Sequence, residues 1–300
     1  MASKGRILQL QHYSVNDGDG IRTTIFFAGC PLRCRWCANP EGLVPRNRIL
    51  YASSRCIECG RCAEVCPHGV SWNFQEPGDR QRCIGCGDCV SVCLAGARRN
   101  TVTEYTVPEI LQQLEPQIPV FRRSGGGVTY SGGECTQQPE FLAELVDAVY
   151  DLGLHQAIET SGYFDLSVLA PTLKKMDFLF MDIKVMDEEA HRRVTGVSNA
   201  PILHNIAAVG KWRKPIVIRV PVVSGINDSE ENIRATARFV AASQETPMME
   251  LLPYHAYGAD KYAQLGLPYQ GDTFHAPTEE NMKHLQAVIA EEGVQVVSYK

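Results

Sequence analysis

The chain has 300 residues, 44% hydrophobic and 21% charged, with a formal net charge of −5, totals that suit a globular α/β core carrying a modest insertion. No apolar run approaches the ~20 residues of a membrane span, and the start MASKGRILQLQHYS lacks the apolar segment and small-residue cleavage site of a signal peptide, so a cytoplasmic protein without membrane contact is expected. The first hundred residues carry 13 Lys and Arg against 8 Asp and Glu, the remainder 16 against 26, a balance that argues against general nucleic-acid binding.

In chain order, the first predicted strand, residues 23–29, runs directly into Cys30-Pro-Leu-Arg-Cys34-Arg-Trp-Cys37. Iron–sulfur cubanes generally take four cysteines, and here three sit on one tight loop with no fourth beside them. An iron without a protein ligand can accept an exogenous chelate, such as the amino and carboxylate groups of S-adenosylmethionine (SAM). A zinc site completed by a distant residue is the alternative. Residues 52–100 then break any strand or helix rhythm. They contain Cys56-x2-Cys59-x2-Cys62-x3-Cys66-Pro67 and Cys83-x2-Cys86-x2-Cys89-x3-Cys93-Leu94. This is the two-cluster ferredoxin spacing, in which the last cysteine of each run ligates the other cluster. Cys56, Cys59, Cys62 and Cys93 are thus assigned to one [4Fe–4S] cluster, and Cys83, Cys86, Cys89 and Cys66 to a second. Zinc knuckles are the alternative. Arg33, Arg35, Arg55, Arg61 and Arg82 surround these cysteines, and such cations offset an anionic metal–thiolate centre. Cys135, outside both runs, reads as a small buried apolar residue.

Beyond residue 100, predicted strands at 128–132, 156–160, 178–184, 216–222 and 249–254 alternate with predicted helices at 138–153, 166–175, 187–194, 200–212 and 229–243. A last helix at 279–291 precedes a strand at 294–299. Such alternation implies βαβ units and a parallel sheet. With six units the sheet is a partial barrel, and its site belongs at the carboxyl ends of the strands. There lie Gly132-Gly133-Glu134, whose glycines admit a ligand close to the backbone and whose carboxylate can accept from an ammonium group. Asp182-Ile183-Lys184 offers an anion beside a cation, and Tyr254 and His255 can face an adenine or a ribose.

Read together, Asp17-Gly-Asp-Gly-Ile-Arg22, Trp36-Cys-Ala-Asn-Pro-Glu41, Gly-Gly-Val-Thr-Tyr-Ser-Gly-Gly-Glu134, Glu159-Thr-Ser-Gly162, Asp182-Ile-Lys184, Arg219-Val-Pro221, Leu252-Pro-Tyr-His255 and Lys261-Tyr262 resemble the glycyl-radical-enzyme activating enzymes. That radical SAM family includes the activator of pyruvate formate-lyase, and the likeness spans nearly the whole chain. It implies a partial (βα)6 radical SAM barrel built from residues 1–51 and 101–300, with a ferredoxin-like insert at 52–100 as in the longer branch of the family. It implies SAM contacts at Trp36, Cys37, Ala38, Gly132, Gly133, Glu134, Asp182, Ile183, Lys184, Arg219 and His255, and a monovalent cation near Glu159, Thr160 and Asp182. The activity implied is that of an oxidoreductase working anaerobically: the cluster at Cys30, Cys34 and Cys37 reductively cleaves SAM, and the resulting 5′-deoxyadenosyl radical takes a hydrogen from a glycine of a partner glycyl radical enzyme. A flavodoxin or ferredoxin-type electron donor and a monomeric state are expected, with the insert clusters relaying electrons. A radical SAM enzyme acting on a small molecule is the competing expectation.

Overall fold

A computed structural model of the chain describes residues 3–74, 76 and 78–299. The parts of the expected 1–51, 52–100 and 101–300 units that fall on residues 1, 2, 75, 77 and 300 lie outside the described residues. The strands are β1 (Gly5–Ser14), β2 (Arg22–Phe27), β3 (Ile49–Tyr51), β4 (Arg98–Asn100), β5 (Thr103–Tyr105), β6 (Gly127–Gly132), β7 (His155–Thr160), β8 (Phe178–Asp182), β9 (Ile216–Val222), β10 (Met248–Pro253) and β11 (Gln295–Val296). One sheet runs β11-β10-β9-β8-β7-β6-β2-β1-β5, and β3 pairs with β4 apart from it. From β2 to β11 all neighbours are parallel, and only the edge, β2-β1-β5, is antiparallel. The six strands expected from the sequence are β2 and β6 to β10, standing side by side as a partial barrel requires.

Short helices α1 (Arg61–Glu64), α2 (Asp79–Arg82) and α3 (Asp88–Ser91) lie between β3 and β4, and α4 (Val107–Leu114) and α5 (Ile118–Ser124) precede β6. The crossover helices are α6 (Pro139–Asp151), α7 (Leu166–Leu173), α8 (Glu188–Thr195), α9 (Ala200–Val209) and α10 (Glu230–Ser243); α11 (Ala259–Leu265) and α12 (Glu279–Glu291) follow β10. Asp187, Ser229 and Thr278 begin α8, α10 and α12 by accepting from the backbone N–H of Ala190, Asn232 and Asn281, groups that would otherwise lack a partner.

The parallel strands β2 and β6 to β10 are buried on both faces, as parallel strands are, and their period of two sorts the side chains. In β8, Leu179 and Met181 turn outward into the core shared with the helices, with Ile183 beyond the strand end joining them. Phe178 and Phe180 turn inward, packing with Ala157 of β7 and Val217 of β9. The same parity sends Glu159, Asp182, Lys184 and Arg219 to the barrel interior.

Several elements differ from the sequence expectation. β1, β3 to β5, α1 to α5 and α11 have no counterpart in the sequence expectation. The last strand is shorter than 294–299 because the Tyr299 N–H leaves the ladder to donate to the Glu250 carboxylate at 2.7 Å. Residues 52–97 are pinned at both ends, by the Tyr51–Arg98 pairing of β3 and β4 and by Ala52 N–H donating to the Ala97 carbonyl at 2.8 Å. This segment packs directly on its flanks. Gly85, at φ +73°, lies so close that an added Cβ would come within 2.3 Å of the Asn47 carbonyl oxygen, and Arg80 donates to the carbonyls of Ile49 and, in α11, Gln264. No described helix is long and apolar enough to cross a membrane.

Candidate active site

The cysteine loop leaves the carboxyl end of β2 and is fixed by backbone bonds before any side chain acts. Arg33 and Arg35 donate their N–H groups to the carbonyls of Thr195 (2.6 Å) and Val194 (3.0 Å) at the end of α8. Between them and Cys37, Trp36 is buried against Val185, Val194, Val223 and the edge of Phe274. On the far side, Lys261 of α11 donates to Asn39 (2.7 Å) and Glu41 (2.6 Å). The loop is therefore clamped between α8 and α11, elements far apart in sequence.

Cys30, Cys34 and Cys37 line one cavity of about 330 Å³ at the carboxyl end of the barrel. Trp36, Ala38, Gly132, Gly133, Asp182, Lys184, Arg219, Tyr254 and His255 line it as well. Two expected contacts do not. Ile183 is buried facing the helices, because it falls on the opposite parity to Asp182 and Lys184. Glu134 is 1% exposed, and its carboxylate accepts five hydrogen bonds at 2.5–3.3 Å from Thr136, Thr160 and Ser161. It closes the turn after β6 and has no capacity left for an ammonium group. Gly132 is required for this turn: at φ +115° its Cβ would come within 2.2 Å of the Phe27 nitrogen.

The charges in the cavity are already paired. Lys184 donates to Asp182 at 2.5 Å; burial works against its ammonium, yet Asp182 and the nearby Cys34 hold its pKa above the ordinary lysine value. Arg219 bonds Glu159 and, at 2.8 Å, Glu250, with its guanidinium 3.5 Å above the Phe180 ring. Ser131 donates to the other Glu159 oxygen at 2.6 Å. The monovalent cation expected on Glu159, Thr160 and Asp182 therefore meets two carboxylates that already carry their own cations.

Burial pushes the Cys34 thiol up to about 12 against the pull of Lys184, and it raises Cys30 and Cys37 too. The loop alone thus holds protonated thiols, and metal binding must displace those protons. Cys135 is fully buried in the main core, with its thiol contacting the carbonyls of Tyr130 and Glu159 at 3.9 Å.

Two smaller cavities lie in the segment that joins β3 to β4. Cys56, Cys59, Cys62 and Cys93 line one, and Cys66, Cys83, Cys86 and Cys89, again with Cys62, line the other. Among the described residues all twelve cysteines are free of disulfides, and no three His, Cys, Asp or Glu side chains are gathered as the ligands of a single ion. Arg98, which the sequence did not single out, lines both cavities. Of the arginines it did, Arg61 lines the first cavity, whereas Arg82 bonds Asp79, Arg35 bonds Gln270 at 3.0 Å and Arg33 bonds the Cys30 and Leu32 carbonyls.

The Radical SAM superfamily profile matches residues 24–239. The chain is 39% identical to the 4-hydroxyphenylacetate decarboxylase activating enzyme of Clostridium scatologenes, over 98% of this chain and 97% of that one. It is 37% identical to the choline trimethylamine-lyase activating enzyme of Oleidesulfovibrio alaskensis, over 95% of each. A solved radical SAM methyltransferase from Sphaerobacter thermophilus, 15% identical, aligns with a TM-score of 0.50 over 65% of this chain and 57% of that one, a likeness of fold alone.

Proposed function

Because the chain belongs to the radical SAM superfamily and, within it, to the activating enzymes of glycyl radical enzymes, we propose that the cavity at Cys30, Cys34 and Cys37 is where SAM is cleaved. The product radical takes a hydrogen from a glycine of a partner enzyme of the decarboxylase, lyase or dehydratase kind. The observation that carries this is the meeting of three cysteines from one loop with Asp182, Lys184, Arg219 and His255 in one cavity. Three thiolates leave one iron of a cubane without a protein ligand, and charged and polar side chains line the same cavity.

When bound, the reduced cluster supplies the electron that splits SAM into methionine and a 5′-deoxyadenosyl radical. The protein's share is placement. Lys184 and Asp182 offer one cation and one anion to the carboxylate, ammonium or ribose hydroxyls of SAM. Gly132 and Gly133, without side chains, admit the ligand against the backbone. His255 stacks on Tyr257 at 4.2 Å, which sets its ring as a flat wall for adenine. Trp36 and Ala38 border the cysteines and limit water at the reacting end.

Residues 52–100 act as a ferredoxin-like insert holding two further [4Fe–4S] clusters, on Cys56, Cys59, Cys62 and Cys93 and on Cys83, Cys86, Cys89 and Cys66. The cavity linings support this sharing, because each cavity takes cysteines from both runs. The insert relays electrons from a flavodoxin or ferredoxin-type donor to the SAM cluster, in a monomeric cytoplasmic enzyme. Anaerobic reconstitution followed by dithionite, SAM and a panel of candidate lyases tests the proposal. A glycyl-type paramagnetic doublet together with 5′-deoxyadenosine is expected with the cognate lyase. 5′-Deoxyadenosine without a protein radical across the whole panel would instead indicate a small-molecule substrate.

A further inference from the structure

Arg98 opens β4, is only 3% exposed, and is placed between the two cysteine-lined cavities of the insert, contributing to the wall of each. Its guanidinium donates to the carbonyls of Ser71 (3.1 Å) and Trp72 (2.6 Å) and lies 4.3 Å over the Phe74 ring and 5.5 Å from that of Tyr51. Among the described residues no carboxylate forms an ion pair with it, and the buried acid of the same stretch, Asp79, is held by Arg82 instead. A buried guanidinium without an anion is costly, since burial removes its hydration and nothing replaces the lost charge stabilisation. Carbonyls and aromatic faces compensate in part. The full counter-charge has to come from what fills the cavities on either side.

A cubane held by four thiolates is an anion, and it gains one more negative charge when it is reduced. A fixed cation beside it favours the reduced form, and net local charge and hydrogen bonds to sulfur are what set such potentials. We propose that Arg98 is the shared counter-charge of the two insert clusters, a positioning residue that raises the reduction potential of both. This rests on the reading that residues 52–100 hold two clusters. It also explains why one arginine is buried here while Arg55, Arg61 and Arg99 stay exposed.

The test is a redox titration followed by paramagnetic resonance on the full chain, with Cys30, Cys34 and Cys37 replaced by Ala so that only the insert signals are read. Arg98→Gln keeps a hydrogen-bond donor without charge, Arg98→Met keeps bulk alone, and Arg98→Lys keeps the charge. At a fixed potential the Gln and Met variants should lower the reduced-to-oxidised ratio of both clusters at least tenfold, which is about 59 mV for a one-electron couple. The Lys variant should titrate close to the parent. Clusters that load in the Gln and Met variants and titrate with the parent overturn the proposal. If Gln and Met fail to load either cluster and Lys loads both, the charge is what the clusters need, which supports it. If Lys fails as well, Arg98 serves the carbonyls of Ser71 and Trp72, and the proposal is wrong. Iron and sulfide in the parent chain distinguish the underlying reading: a parent without insert clusters removes that reading and the role of Arg98 with it.

Discussion

The carboxyl end of the barrel and the segment between β3 and β4 both gather cysteines, but they gather them differently. At the barrel end, three cysteines of one eight-residue loop border a cavity whose lining also includes Asp182, Lys184, Arg219, His255 and glycine backbone. In the segment, each cavity takes cysteines from two runs, and the charged or ionisable lining besides them is Arg98 in both, Arg61 and Tyr51 in one, and Asp88 and His68 in the other. The first arrangement leaves a coordination position and a polar wall for a substrate. The second leaves neither. On the proposed reading, chemistry on a ligand belongs to the open site, and the two insert sites would store and transfer electrons.

That contrast breaks first on the cysteines themselves. Replacing Cys34 with Ala should abolish SAM cleavage with every reductant, because no electron reaches SAM without the open cluster; residual cleavage at parental rate would end the distinction. Replacing Cys59 or Cys86 with Ala should be milder and selective. 5′-Deoxyadenosine formation should persist with dithionite, which can reach the open cluster directly, and fall to background with a flavodoxin or ferredoxin donor. Parental turnover with the protein donor would show that the insert does not relay electrons.

A smaller effect probes the clamp under the open loop. His191 of α8 is fully buried. Its Nδ1–H donates to the Val197 carbonyl at 2.8 Å, and its Nε2 is buried without a partner among the described residues. Burial therefore holds its pKa below the ordinary histidine value, against the weaker pull of the Val197 bond. Between that lowered value and about 6.5, the unfolded chain binds more protons than the folded one. Stability from this group is thus whole above about pH 6.5 and is lost as pH falls below it. Val194 and Thr195, at the end of the same helix, hold the cysteine loop, so the loss is felt at the open site. Thermal melts at pH values on either side of about 6.5 should show a larger acid destabilisation in the parent than in His191→Gln. Equal losses would remove His191 from the account.

Much of this was legible in the sequence because spacing carries it. Two-residue gaps between cysteines need no tertiary information, and six β-rich runs separated by helical patterns fix the order of the parallel strands. Strand parity could have gone further: residues 178–184 alternate so that Asp182 and Lys184 share a face and Ile183 cannot join them. The alternation in Leu8-Gln-Leu-Gln11 is the local signal for β1. Other features had no local signal. Glu134 looks available in a Gly-rich turn, and only the fold brings Thr160 and Ser161 onto its carboxylate. Lys261 reaches Asn39 and Glu41 across more than two hundred residues. Arg98 is indistinguishable from Arg99 until the pairing of β3 with β4 turns one inward and leaves the other in solvent.

The central claim is that the open site takes a hydrogen from a glycine of another protein. Its most direct test uses a cognate lyase labelled with α-dideuterated glycine, incubated with this enzyme, SAM and reductant. Deuterium should appear in 5′-deoxyadenosine while the protein radical forms. Unlabelled 5′-deoxyadenosine with no protein radical would contradict it.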